Sequence, residues 1–136
     1  MKLFFFLSAF FFPVILFSQH RISIKFSDIN PIQGKIYVGL YNSDGDFMKT
    51  DKFFRQCITP VNGENVECTL DDIPEGTYAI SVFHDENGNG KLDTGTFGIP
   101  KEGYGFSNNA RGMFGPPSFT ESSFFVKGNV VQNIKL

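Results

Sequence analysis

Oxygen-bearing side chains recur at alternate positions in one segment of the chain, residues 85–93, which reads Asp-Glu-Asn-Gly-Asn-Gly-Lys-Leu-Asp. Positions 1, 3, 5 and 9 of this segment are Asp or Asn, and position 6 is a glycine. Ca²⁺ binds six to eight hard oxygen ligands, so carboxylates and carbonyls that converge on one point suit it. The spacing therefore predicts a calcium loop. Its predicted ligands are the side chains of Asp85, Asn87, Asn89 and Asp93 and the main-chain carbonyl of Lys91.

The segment follows the beginning of the EF-hand pattern D-x-[DN]-x-[DN]-G but departs from it further on. Position 12 is Thr96 rather than a bidentate glutamate, and no helix is predicted on either side. With only two carboxylates we expect weak affinity, on the order of 10⁻⁴–10⁻³ M, and a structural role. Glu102, nine residues after Asp93, is the candidate for the missing acidic ligand. The alternative is that Asn-Gly-Asn-Gly forms only a turn between two strands.

A second group of candidate residues lies in the glycine-rich stretch that follows the loop, residues 98–119. Exposed aromatic rings and an arginine among glycines are suited to stacking on a sugar or clamping a peptide. The candidate ligand contacts are Tyr104, Phe106, Arg111 and Phe114. The alternative is a long loop that Phe106, Phe114 and Phe119 pack onto the domain. The residue types alone leave both interpretations open.

Catalytic arrangements have weaker support in this sequence. His84, Asp85 and Ser107 include the residue types of a hydrolytic triad, but Asp85 belongs to the predicted calcium loop and no G-x-S-x-G elbow is present. We therefore expect a binding or structural module rather than an enzyme. The alternative is a small extracytoplasmic hydrolase that uses His84, Asp85 and Glu102.

The N-terminus has the pattern of a secretory signal peptide. Lys2 precedes an apolar run over residues 3–17, and Ser18 ends it. The run is shorter than the roughly 20 residues that an untilted membrane helix needs. We expect cleavage after residue 18, a single domain over residues 19–136, and an exported protein, periplasmic or extracellular, with no stable membrane insertion. An uncleaved membrane anchor is the alternative.

The charge balance excludes one class of partner. Without Lys2, the domain keeps 11 of the 12 basic side chains against 14 acidic ones. Nucleic-acid binding calls for a basic patch, which this composition does not supply. The partners that we expect are a glycan, a peptide or a component of the cell envelope.

The two cysteines, Cys57 and Cys68, stand on either side of Asn62-Gly63, a strong two-residue hairpin signal. In such a hairpin the two cysteines face each other directly, at a Cα separation that permits a disulfide. An oxidising compartment allows the bond, so we predict a structural disulfide. Two free thiols or a redox-active pair are the alternatives.

Alternating apolar and polar residues predict an all-β domain. A second hairpin is predicted around Gly128-Asn129, and the interval 85–121 carries little strand signal. Short strands with many Gly and Pro turns favour an antiparallel β-sandwich, immunoglobulin-like or transthyretin-like, over a closed β-barrel. The predicted strands cover residues 21–26, 35–41, 53–59, 65–70, 77–84, 123–127 and 130–136.

Four segments of the sequence, taken together, resemble an uncharacterised family of exported bacterial proteins, catalogued as domain of unknown function 2141. They are residues 84–93, Gly-Ile-Pro at 98–100, Glu-Gly-Tyr-Gly-Phe-Ser-Asn-Asn at 102–109 and Gly-Pro-Pro-Ser-Phe at 115–119. The resemblance implies export and a β-sandwich, and it brings no established activity. The stretch Leu-Asp-Asp-Ile-Pro-Glu-Gly-Thr-Tyr also looks like part of carboxypeptidase-regulatory-like and collagen-adhesin B-type domains. Those are accessory β-sandwiches, which by analogy favours a module without catalysis.

Overall fold

The computed structural model describes residues 12–16 and 18–136 of the chain. Two thirds of the predicted signal peptide, residues 1–11 and 17, therefore lie outside the described residues. In the described ranges, no helix is long and apolar enough to cross a membrane. The regular elements of these ranges are eight strands and one single-turn helix, besides three short 3₁₀ turns. Their bounds are β1 Gln19–Ser27, β2 Lys35–Tyr41, β3 Arg55–Pro60, β4 Val66–Pro74, β5 Gly76–Asp85, β6 Tyr104–Phe106, α1 Phe119–Ser122, β7 Ser123–Val126 and β8 Val130–Lys135.

The strands form two sheets that face each other as a β-sandwich, so the predicted fold class is confirmed and the barrel alternative is not observed. One sheet has three strands in the order β4-β1-β8, with β8 parallel to β1. The other begins β3-β2-β5. Two short strands then share the far side of β5, with β7 along residues 76–79 and β6 along residues 81–83.

The main core fills the space between the two sheets. Each long strand sends alternate side chains inward, as the period-2 pattern predicts. Burial of such aliphatic side chains contributes about 1.5–3 kcal/mol each, which makes this layer the chief source of stability. The inward residues include Ile22, Ile24 and Phe26 of β1, Ile36, Val38 and Leu40 of β2, and Tyr78, Ile80 and Val82 of β5.

A second apolar cluster covers the outer face of the larger sheet. Ala79 of β5 is fully buried there beneath Tyr41, Phe47 and Phe106. Phe119 of α1 adds an edge-on ring contact with Phe47 at 5.8 Å. Strand β5 is therefore covered on both faces, since Ile80 and Val82 pack in the main core and Ala79 packs in the second cluster. The cluster also anchors the irregular segment beyond β5 to the sheet.

The predicted hairpin around Asn62-Gly63 is wrong, although the predicted disulfide is present. Strand β3 pairs with β2 and β4 pairs with β1, so the turn crosses from one sheet to the other. Cys57 lies opposite Val38, and Cys68 lies opposite Ile24. Because both partners face the core, the two cysteines meet between the sheets. Their Cα atoms are 6.4 Å apart, and the bond joins the sheets at an edge.

The predicted hairpin around Gly128-Asn129 is wrong for a similar reason. Strand β7 pairs with β5 in the larger sheet, whereas β8 pairs in parallel with β1 in the smaller sheet. The side chain of Asn129 accepts a hydrogen bond of 2.9 Å from the backbone N–H of Arg21 at the beginning of this parallel pairing. The turn thus carries the chain across the sandwich.

The side-chain amide of Asn109 covers part of the outer edge of β8, on the other side of the sandwich from the disulfide. Asn109 donates from Nδ2 to the carbonyl of Asn133 at 3.0 Å, and its Oδ1 accepts the N–H of Lys135 at 2.9 Å. In a parallel sheet, one residue of a neighbouring strand would bind the same two groups, donating its own N–H to the carbonyl and accepting the N–H with its own C=O. A single asparagine therefore replaces a neighbouring strand and blocks further pairing at this edge.

Candidate functional site: an acid–amide loop and an adjoining cleft

The acid–amide loop, residues 85–93, begins at Asp85, the last residue of β5, whose side chain is fully buried. Its Oδ1 accepts the backbone N–H groups of Gly88 and Asn89 at 3.0 and 3.1 Å, and its Oδ2 accepts that of Gly90 at 2.9 Å. Gly88 and Gly90 have φ angles of 76° and 78°, in the region that favours glycine. One carboxylate therefore folds the chain around itself, and the two glycines permit the turn.

The other three predicted side-chain ligands also meet in this loop. Asn87 donates from Nδ2 to Asp93 at 2.6 Å, and Asn89 donates to both oxygens of the same carboxylate at 2.8 and 2.9 Å. These hydrogen bonds, that from Asn87 foremost, lower the pKa of Asp93 below its ordinary value. The amide oxygens of Asn87 and Asn89 each accept a backbone N–H two residues further on. The loop thus satisfies its own polar groups.

Glu102 joins the two ends of the loop. Its side chain is only 8% exposed. Oε1 accepts the N–H of Glu86 at 3.0 Å, and Oε2 accepts the N–H of Asp93 at 2.9 Å. A further backbone bond, from Lys101 to the carbonyl of Asp93 at 2.8 Å, holds the returning chain in place. The residue that was singled out as the missing acidic ligand lies at the loop, where it binds backbone N–H groups.

The donor set is compatible with a hard cation in part. Within residues 12–16 and 18–136, no group of three or more His, Cys, Asp and Glu side chains could hold a metal ion. The calcium ligand set consists instead of two carboxylates, two amide oxygens and the carbonyl of Lys91. Each amide oxygen accepts one hydrogen bond and retains a second lone pair. The oxygens of Asp93 face amide N–H groups, which would have to turn away before a cation could take their place.

In the part of the chain that the structure describes, no hydrogen bond joins His84, Asp85 and Ser107 into a catalytic triad. His84 and Asp85 are consecutive residues of β5, so their side chains point to opposite faces of the sheet. His84 is 1% exposed, and its Nε2 lies 2.7 Å from the carbonyl of Gln33. Ser107 is fully buried, accepts the N–H of Ile80 and donates to the carbonyl of Ser122. The side chains of His84 and Ser107 therefore bind backbone groups and connect segments of the domain.

An open cleft of about 330 Å³ lies beside the loop, between β6, residues 109–117 and the end of β8. Tyr104 of β6 lines the cleft and is 46% exposed, and Arg111 lines it from the segment 109–117. Phe106 is only 7% exposed, so the expectation that its ring is free is wrong. Its ring packs 6.2 Å from that of Phe47, because β6 pairs with β5 and turns residue 106 onto the second cluster.

Phe114 contradicts the alternative interpretation, in which its ring packs onto the domain. Its side chain is 98% exposed, so it does not hold the long segment to the domain. Phe106 and Phe119 do so, as that interpretation predicted. The four candidate ligand contacts are therefore divided: Tyr104 and Arg111 line the cleft, Phe106 lines it from a buried position in the second cluster, and Phe114 is in solvent.

Sequence reasoning missed two residues of this region, Asn109 and Lys135, which both line the cleft. Lys135 pairs with Asp28 at 2.9 Å, and Asn109 holds the edge of β8. No local pattern marks either residue, because β8 reaches the cleft only through its parallel pairing with β1. That pairing joins two ends of the chain that lie about a hundred residues apart.

Comparison with known proteins gives one match. The model of a protein family described as an uncharacterized protein conserved in bacteria matches residues 24–134. That span includes residues 85–93, the cleft lining apart from Lys135 and Leu136, and the strands β2 to β7 in full. The chain matches no curated protein and no solved structure.

Proposed function

Because the chain belongs to the family catalogued as domain of unknown function 2141, which carries no assigned activity, we propose a function from the loop and the cleft. The proposal is an exported, calcium-stabilised β-sandwich module with a binding or structural role outside the cytoplasm. The observation that carries it is the cluster of oxygen-bearing side chains in residues 85–93, where the amides of Asn87 and Asn89 meet the carboxylate of Asp93 and the buried carboxylate of Asp85 organises the backbone. We expect residues 85–93 to bind Ca²⁺ weakly and to brace the irregular segment that follows.

The chain's own groups divide the work in this proposal. Asp85 and Glu102 hold the loop closed by accepting five backbone N–H groups between them. Asp93, the two asparagine amides and the carbonyl of Lys91 supply further oxygens, which are the ligands that Ca²⁺ prefers. Bound Ca²⁺ would contribute positive charge that offsets the carboxylates.

The calcium proposal is tested by thermal unfolding of protein freed of metal with a chelator. With a dissociation constant of about 10⁻⁴–10⁻³ M, 10 mM Ca²⁺ stabilises the folded state by about 1.4–2.7 kcal/mol. Asp93→Asn should abolish this stabilisation. The matched control is Asp44→Asn, which removes an exposed carboxylate distant in sequence from the loop and should leave it intact.

Two results would refute the calcium proposal. One is an unchanged melting temperature in 10 mM Ca²⁺. The other is an equal increase in wild type, Asp93→Asn and Asp44→Asn, which would indicate general screening of acidic charge. A parallel titration with Mg²⁺, which demands tighter octahedral geometry, should give a smaller increase.

Export is tested separately, with the full chain expressed in a bacterial host. We expect the protein outside the cytoplasm, with an N-terminus at Gln19 after cleavage behind Ser18. Intact residues 1–18 on a membrane-bound product would support the anchor alternative. Retention in the cytoplasm would overturn the export proposal.

A further inference from the structure

The cleft beside the acid–amide loop has walls of backbone as much as of side chains. A Cβ atom on Gly105 would lie 2.6 Å from the carbonyl oxygen of Lys135, and one on Gly112 would lie 2.1 Å from that of Gly115. Both glycines therefore allow segments to approach that would otherwise be held apart. The resulting volume of about 330 Å³ is at the small end of ligand sites, which range over roughly 300–1,000 Å³.

The free charge in this cleft is positive. Arg111 is exposed, and no hydrogen bond or ion pair engages it within the described part of the chain. Lys135 is already paired with Asp28 at 2.9 Å. Glu102 also lines the cleft, but both of its oxygens are occupied by N–H groups of the loop. A guanidinium is therefore the group available to a ligand, and its fork of N–H donors matches a carboxylate.

Tyr104 adds an aromatic surface and main-chain hydrogen-bonding groups. Its ring meets Phe106 edge-on at 6.1 Å and is 46% exposed. The N–H of His84 donates to the carbonyl of Gly103, so the alternation of antiparallel pairing turns the backbone groups of residue 104 away from β5. An amphipathic ring beside a free donor and a free acceptor suits a ligand with an apolar face and hydroxyl groups.

We propose that this cleft binds a saccharide unit that carries a carboxylate. Arg111 pairs with the carboxylate, the ring of Tyr104 contacts one face of the sugar, and the backbone of Tyr104 bonds its hydroxyls. A peptide fits less well, because β6 is three residues long and the alternation turns outward the backbone groups of only two of them, Tyr104 and Phe106. Strand addition depends on a longer row of such groups. The proposal rests on the binding role proposed above and not on calcium.

The test compares cellobiouronic acid with cellobiose, two disaccharides that differ only by a carboxylate in place of a hydroxymethyl group. Each is titrated into ¹⁵N-labelled protein in low salt and chelator, and amide chemical shifts are followed. We expect saturable shifts at the cleft glycines with the acid and none with cellobiose. Arg111→Gln should weaken binding by about 10- to 100-fold, the effect of losing a hydrogen bond to a charged group. Tyr104→Ala should weaken it as well.

Lys127→Gln is the matched control, since Lys127 is an exposed cation in the turn between β7 and β8, at the other end of β8 from the cleft. It should leave the affinity unchanged. Equal shifts with cellobiose, no shifts with either sugar, or equal loss of binding in Lys127→Gln and Arg111→Gln would overturn the proposal. So would an equal response of the cleft to triglycine, whose carboxylate belongs to a peptide. Because chelator is present throughout, a failed calcium titration and a failed sugar titration are separate results.

Discussion

Replacement of Asp85 by asparagine tests the central structural role assigned to the loop. The wild-type carboxylate is fully buried and accepts three backbone N–H groups. In Asp85→Asn, one oxygen still serves Gly88 and Asn89, while the new Nδ2 donor faces the N–H of Gly90. Hydrogen bonds to charged groups contribute about 1.5–3 kcal/mol each, and a donor left facing a donor adds a desolvation cost. Because these hydrogen bonds are part-buried, water can replace some of what is lost, and we expect a net loss of about 2–4 kcal/mol.

The assay is urea unfolding followed by far-ultraviolet circular dichroism, because the chain has no tryptophan to report by fluorescence. Chelator keeps calcium out of the measurement, so the result concerns the hydrogen bonds alone. The midpoint should fall while the slope with urea stays constant, since the surface exposed on unfolding does not change. A loss below about 0.5 kcal/mol, the usual range of surface substitutions, would refute the role of Asp85 as the organiser of the loop.

Three further outcomes are expected. Conversion of both Cys57 and Cys68 to alanine should lower the free energy of unfolding by about 3 kcal/mol, measured in urea without reductant, because the bond closes a loop across a sequence separation of 11. By NMR, Asp93 should titrate below the ordinary pKa of an aspartate, and Asn87→Ala should raise its pKa towards that ordinary value. Because the folded pKa is the lower one, the stabilisation from these hydrogen bonds is present above the unfolded pKa and is lost as pH falls through the folded pKa. Asn109→Ala should cost about 1–2 kcal/mol in thermal unfolding and increase self-association through β8, whereas retained stability would contradict its role at that edge.

The strands were largely predictable because alternation of apolar residues reports which face of a strand is buried. Pairing was not. Asn62-Gly63 indicates a tight turn, but the turn chemistry is the same whether the next strand returns in its own sheet or crosses to the other. What decides is the long-range partner of each strand, β2 for β3 and β1 for β4. The disulfide was predicted correctly from an incorrect pairing, since core-facing cysteines at the edges of two sheets also come within bonding distance.

The same distinction applies to the candidate site. Contacts within residues 85–93 follow largely from local spacing: the side chains of Asn87 and Asn89 bind that of Asp93, and Asp85 binds backbone N–H groups of the same loop. The cleft depends on β6 returning along β5 and on β8 lying parallel to β1. Phe106 illustrates the difference, because its burial follows from pairing with Ser81 and not from the residues beside it in sequence. The contacts of the loop could therefore be predicted from the sequence, whereas the cleft, which distant segments form together, could not.

The two interpretations of the loop, a calcium site and a simple turn, differ in what binds the carboxylate of Asp93, a cation or the amides of Asn87 and Asn89. Asp85 and Glu102 bind backbone N–H groups, so the folded shape of the loop does not depend on a cation. Asp93 binds the amides of Asn87 and Asn89, and a cation must displace those amides to reach its oxygens. The cost of breaking these bonds subtracts from the binding free energy. Because the backbone of the loop is preorganised and its side chains already have hydrogen-bond partners, we expect the proposed calcium binding to be weak and to add stability to an already formed turn.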